Sequence, residues 1–129
     1  MFDRRVFIAA ACAALLAGCG KGGPEQPGRT RIGIVAKSLG NGFFDAVHKG
    51  ADDAGKELDA EVIFVGPTTP TAEGQIETLN SLIAQRVDAI AVSANDPDAL
   101  VPTLRKALDR GIKVIVAKVT AEDEMQKTA

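Results

Sequence analysis

Apolar and polar positions along this chain follow two alternating rhythms. Four short runs, residues 32–36 (IGIVA), 62–65 (VIFV), 89–92 (AIAV) and 112–117 (IKVIVA), are almost wholly apolar. Runs of this length without polar alternation predict strands buried on both faces of a parallel sheet. Between them the apolar positions recur at steps of three and four. The sets are Phe44, Val47, Ala51, Ala54 and Leu58; then Ala72, Ile76, Leu79 and Ile83; then Leu100, Leu104, Ala107 and Leu108. Such spacing predicts amphipathic helices. Asn41 is the expected N-cap of the first helix, and Asp96-Pro97 reads as cap and first residue of the third. Thr69 and Thr71 compete to cap the second helix. Gly111 supplies a C-terminal stop. The order is β-α-β-α-β-α-β with short connections, so the expected class is α/β, a parallel sheet with helices on both faces and right-handed crossovers.

The candidate chemistry lies mainly in the loop after the first strand, Lys37-Ser38-Leu39-Gly40-Asn41-Gly42, and in the pair Phe43-Phe44 that follows. In open α/β sheets ligands sit in the crevice beyond the carboxyl ends of the strands. That rule would gather Lys37, Asn41, Phe43, Phe44, Ser93 and Asn95 along one edge. An aromatic ring there can offer a flat apolar surface to the C–H face of a sugar. Phe44 lies on the core stripe of its helix and reads equally as packing, whereas Phe43 lies off the stripe. Lys37 has a plain alternative as a solvated loop lysine.

The first 30 residues have a different character. Arg4-Arg5 precedes an apolar, alanine-rich run over 6–16, and Leu16-Ala17-Gly18-Cys19 follows. This is the layout of a signal peptide, too short for a membrane span. Leu16-Ala17-Gly18-Cys19 looks like a lipobox, which predicts a lipoprotein signal peptide over 1–18, lipidation at Cys19 and a Gly/Pro-rich flexible tether over 19–30, with simple secretion as the alternative. Arg4-Arg5-Val6-Phe7-Ile8 also resembles a twin-arginine export signal, with Asp3 in place of the usual small hydroxyl residue. The mature protein would then lie outside the cytoplasm, periplasmic or on the cell surface and anchored to the membrane by lipid.

Charge and rare residues narrow the classes further. A net charge of −2 with no basic stripe gives no footprint for nucleic acid. Cys12 leaves with the signal and Cys19 takes the lipid, so no thiol remains for a disulfide, a metal or catalysis. His48 is the single histidine, expected to pack or to be solvated. With no Gly-x-Gly-x-x-Gly turn, no phosphate loop and no nucleophile beside a base, no catalytic residue, metal or cofactor is assigned. Asp52, Asp53 and Glu57 read as a solvated helix face.

From residue 32 to 116 the chain resembles the type I periplasmic sugar-binding proteins, the substrate-binding subunits of bacterial ABC importers. The resemblance rests on Asn41-Gly42-Phe43-Phe44, Gly50-Ala51-Asp52-Asp53-Ala54, Glu73-Gly74-Gln75-Ile76, the run from Val92 to Leu100, and Arg110-Gly111-Ile112-Lys113-Val114. Ala36-Lys37 and Val65-Gly66-Pro67-Thr68 bring it nearest to the rhamnose- and autoinducer-2-binding branch. The resemblance implies a periplasmic-binding-protein-like I fold over 31–119 and an irregular tail over 120–129. It also implies a monosaccharide or sugar-like signal as ligand and an ABC permease as partner. Lys37 would bond sugar hydroxyls, Asn41 would shape the loop or touch the ligand, Phe43 and Phe44 would wall the ring, and Ser93 and Asn95 would face it from the third strand. Two departures stand out. The family clamps its sugar between two lobes in a chain about twice as long, so a single truncated N-terminal lobe is expected here. The related branch also continues its fourth strand into a Trp-Asp-Ser-Asp type segment, where this chain reads Val116-Ala117-Lys118-Val119-Thr120, and a lysine cannot accept the hydrogen bonds of an aspartate. A remnant that binds nothing, a flavodoxin-like enzyme on the same layer pattern, and a sugar-responsive repressor are the alternatives. The repressor would need a helix-turn-helix where this chain carries an export signal.

Overall fold

Seven elements alternate along the chain: β1 (Thr30–Val35), α1 (Gly42–Glu57), β2 (Ala60–Val65), α2 (Ala72–Ala84), β3 (Ala89–Ser93), α3 (Pro97–Asp109) and β4 (Lys113–Ala117). The structure is a computed structural model and describes residues 28–118. The expected signal peptide, Cys19, most of the tether and the tail over 120–129 lie outside the described residues. All four strands are parallel, in the order β2-β1-β3-β4.

Alternation along β2 separates the two faces of the sheet, because successive side chains of a strand point to opposite sides. Ile63 and Val65 pack against a core formed by Leu79, Leu82 and Ile83 of α2, Leu100, Leu104 and Ala107 of α3, and Val35, Ile90 and Val92 of the sheet. Phe64 and Val62 turn the other way, towards α1. The ring of Phe64 stacks on His48 at 4.3 Å and 11°, and Val62 lies under Gly55. One layer therefore holds α2 and α3, the other α1. Burial of Leu79 and Leu82, both essentially inaccessible, contributes on the order of 2 kcal/mol each.

Glycine permits close approaches at Gly33 and at Gly55. A Cβ on Gly33 would lie 2.6 Å from Leu82 Cδ1, and one on Gly55 would lie 2.8 Å from Val62 Cγ2. The second contact explains a departure from the expected stripe of α1. The helix settles on the sheet along Phe44 and Gly55, which are buried, so Ala54 is turned outward and Leu58 is 75% exposed. In α3, Leu108 is likewise exposed and the buried positions are Leu100, Thr103, Leu104 and Ala107. Strand limits shift as well. β1 starts at Thr30 because Thr30 and Arg31 pair with Ala60 and Glu61. Ile112 belongs to the turn before β4, its amide donating to Ala107 O at 3.1 Å. Gly111 holds φ at +79° there, the left-handed conformation expected of a helix stop.

Candidate functional site at the carboxyl edge of the sheet

Three connections meet beyond the carboxyl ends of β1, β2 and β3, and backbone bonds tie the first two together. The amide of Ala36 donates to Val65 O and that of Leu39 to Pro67 O, each at 2.9 Å. Asn41 folds the first loop onto the start of α1. Its Oδ1 accepts from the Phe44 amide at 3.0 Å, while its Nδ2 donates to Ser38 Oγ at 3.2 Å. It is the N-cap of the helix. Thr71 resolves the competition at α2, its Oγ1 accepting from the Gly74 amide at 3.1 Å. Asp96 caps α3 by accepting from the amides of Asp98 and Ala99.

The third connection is held by a buried amide. Gln75 of α2 has no accessible surface. Its Nε2 donates to Ala36 O at 3.0 Å and Ser93 O at 2.8 Å, and its Oε1 accepts from the Asn95 amide at 2.8 Å. One side chain thus joins the ends of β1 and β3 to the loop behind them. Asn95 adds a second tie, its Nδ2 donating to Lys37 O at 2.9 Å and reaching Thr71 O at 3.4 Å. In the sequence Gln75 stands out only as part of Glu73-Gly74-Gln75-Ile76. The signal that marks it is a polar residue placed four positions before Leu79 on an otherwise apolar stripe, where burial without partners would be costly.

The remaining candidates occupy different depths of this edge. Phe44 is 4% exposed, as its place on the stripe suggests. Phe43 is half-buried and meets Phe44 edge to face, with ring centres 5.0 Å apart at 87°, the arrangement aromatic quadrupoles favour. Lys37 is half-buried at the start of the first loop. Ser93 is 6% exposed, and its Oγ has no hydrogen-bond partner. Lys37, Asn41, Phe43 and Phe44 are therefore grouped around one loop, with Asn95 bonded to it and Ser93 buried at the strand end behind.

All three helices start at this edge, and each carries an acid in its first turn, Asp45, Glu73 and Asp98. These carboxylates oppose the positive ends of the helix dipoles. The edge consequently suits an uncharged, hydroxyl-bearing ligand better than an anion. Among the described residues, no helix is long and apolar enough to cross a membrane and no group of three or more His, Cys, Asp or Glu side chains could hold a metal ion.

Comparison with known proteins gives the chain its family. The periplasmic binding protein domain matches residues 32–127. The chain belongs to the periplasmic binding protein family. It is 39% identical over 94 residues to the D-ribose/D-allose-binding protein of Pseudomonas aeruginosa, covering 70% of this chain and 30% of that protein. Among solved structures, an ABC transporter solute-binding protein from Clostridium phytofermentas with bound L-rhamnose superposes with a TM-score of 0.67 at 33% identity, covering 74% of this chain and 30% of that one. LsrB from Clostridium saccharobutylicum in complex with AI-2 gives a TM-score of 0.65 at 27% identity, covering 67% and 26%. The chain spans about a third of the length of the curated relatives it matches. Those relatives are sugar-binding transport proteins, not enzymes, and the flavodoxin-like enzyme is set aside on that ground.

Proposed function

We propose that residues 31–119 form the N-terminal lobe of a lipid-anchored solute-binding protein serving an ABC-type sugar importer, and that the carboxyl edge of the sheet holds a monosaccharide or a sugar-like signal such as rhamnose or AI-2. Membership of the periplasmic binding protein family carries this reading, and relatives with bound L-rhamnose, D-allose and AI-2 support the ligand class. The anchor rests on the signal-peptide layout ending at Cys19. Phe43 is the side chain placed to lie against the ring, and Lys37 the one to donate to its hydroxyls. Asn41 and Asn95 act one step behind, holding the loop that carries both. Phe44 fixes Phe43 from the core, and Ser93 brings an unpartnered hydroxyl to the base of the crevice. One lobe leaves one face of a sugar wet, so binding is weak until a second lobe closes over it.

Isothermal calorimetry of the full chain against rhamnose, ribose, allose and AI-2 tests the reading. The expected result is weak heat with at least one of them, lost in both Phe43→Ala and Lys37→Ala. Unchanged heat in the two variants would remove Phe43 and Lys37 from the site. A folded chain giving no heat with any of the four would favour the non-binding remnant.

A further inference from the structure

The opposite edge of the sheet carries a feature that sugar binding does not use. Where the strands begin, a hollow of about 770 Å³ opens; Thr30, Arg86, Asp88, Arg110 and Lys113 are its polar lining, and the rest of the wall is apolar side chains and Gly111. Three of these five are cations. Among the described residues, none of the three makes a side-chain hydrogen bond or an ion pair. Neighbouring cations are engaged: Arg29 with Asp59 at 2.9 Å, Arg31 with Glu61 at 3.3 Å, and Lys106 with Asn80 at 3.0 Å. The one acid of the hollow is also engaged, Asp88 Oδ2 accepting from the Arg31 amide at 2.7 Å. Backbone geometry builds the cluster. Arg86 at φ +54° and Gly111 at φ +79° turn the chain sharply after α2 and α3, and these turns bring Arg86 and Arg110 to the mouth beside Lys113 at the start of β4.

The same edge is where the chain enters the domain. Thr30 is both the first residue of β1 and part of the wall of the hollow. If Cys19 bears the lipid, 11 residues separate it from Thr30. Such a stretch spans at most about 40 Å and on average about 18 Å as a coil. A domain of about 90 residues has a radius of gyration near 12 Å, so the tether is shorter on average than the domain is wide. The edge bearing the three cations is therefore held within reach of the bilayer, and the sugar edge lies on the far side of the sheet.

We infer that the hollow is a docking site for the anionic headgroups of the membrane that carries the anchor, seating the lobe with the amino ends of its strands against the bilayer. This rests on the lipid-anchor reading above. Each cation brought to an anionic surface strengthens the association about fivefold, and three act together because they line one mouth.

Amine acylation, followed by mass spectrometry, distinguishes the possibilities in the full chain mixed at millimolar lipid with vesicles of phosphatidylcholine, with or without about one third phosphatidylglycerol. Lys113 should label at least about fivefold more slowly on the anionic vesicles, and about 1 M salt, where the screening length falls to about 3 Å, should restore its rate. Lys37 at the sugar edge serves as internal reference and should be unaffected. The double variant Arg86→Asn, Arg110→Gln keeps the reporter and should abolish the protection; asparagine tolerates the left-handed backbone at 86. Should that variant melt early, Arg86→Lys with Arg110→Lys must retain protection. Equal labelling of Lys113 on both vesicles, or full protection in the double variant, would overturn the proposal. Flotation on pure phosphatidylcholine reports the anchor separately. A chain that floats there with Lys113 unprotected on the anionic vesicles keeps its anchor and loses the docking site. One that fails to float, yet protects Lys113 on anionic vesicles, loses the anchor and keeps the site.

Discussion

The two edges of the sheet use polar residues in opposite ways. At the carboxyl edge Gln75, Asn95, Asn41 and Thr71 are committed to backbone groups of the loops around them. At the amino edge Arg86, Arg110 and Lys113 face a hollow with no partner among the described residues. The first edge is tied together through these amides, which leaves only a few side chains for a ligand. The second is held by left-handed turns, and its cations remain available to whatever lies outside. Whether a side chain shapes a site or meets a ligand depends on whether its bonds are already taken.

Removing the buried amide is the strongest way to break this contrast. Gln75→Leu leaves Ser93 O, Ala36 O and the Asn95 amide without that partner, at about 1–3 kcal/mol for each group that finds no other. The expected loss is about 3–5 kcal/mol in urea unfolding. A loss below about 1 kcal/mol would mean that the edge does not depend on this residue.

Next in size is Gly33→Ala, which tests the sheet beneath the loops rather than the loops. Its Cβ would meet Leu82 at 2.6 Å, and overpacking of this kind costs about 1–3 kcal/mol. The pair Gly33→Ala with Leu82→Val should recover part of that loss, and failure to recover would place the strain elsewhere.

Asn41→Ala removes a helix cap worth about 1 kcal/mol and also frees Ser38. Asn41→Asp keeps the accepting oxygen and should retain most of the stability in a thermal melt. Equal losses in the two would show that the contacts of Nδ2, rather than the cap, hold the loop.

The smallest effect is expected on the outer face of α1, where Lys49 bonds Asp53 at 2.8 Å and Lys56 lies 3.7 Å from it. The Lys49 hydrogen bond lowers the pKa of Asp53, and the Asp53 hydrogen bond raises that of Lys49. The carboxylate therefore stabilises the fold above its unfolded pKa, and that contribution fades as pH falls through the lowered folded value. The lysine contributes below its unfolded pKa, until pH rises through the raised folded value. Both groups are fully exposed, so Asp53→Asn should barely move the melting temperature at neutral pH, and the difference should vanish in acid. A shift of several degrees would make this surface pair more than a solvated contact.

Much of this fold was legible in the chain itself. Apolar runs marked the strands, and Asn41, Asp96-Pro97 and Gly111 marked helix ends, because both signals are local and repeat with the period of the element. The roll of a helix on its sheet was not legible. It depends on where two surfaces touch closely, and Gly55 over Val62 decided it against Ala54 and Leu58. The site divided along the same line. Topology brought Lys37, Phe43 and Asn95 to one edge, as the strand order implies. The Asn41 cap was readable, but that its Nδ2 reaches Ser38 and that the Asn95 side chain bonds the first loop were not, since an asparagine looks the same in sequence whether its amide is engaged or open. The hollow at the amino edge went unread for a further reason. Its three cations come from three separate segments, and no local charge run announces them.

The buried glutamine also limits how this scaffold can be rebuilt. On the proposed reading, Phe43 and Lys37 are the positions to vary in seeking another sugar. Gln75, Asn95 and Asn41 form the wiring beneath, and a library that varied them would lose folded members before it sampled new specificities. Transplanting the first loop into another scaffold would require a hydrogen-bonding amide in the second helix, at the position of Gln75, to receive it.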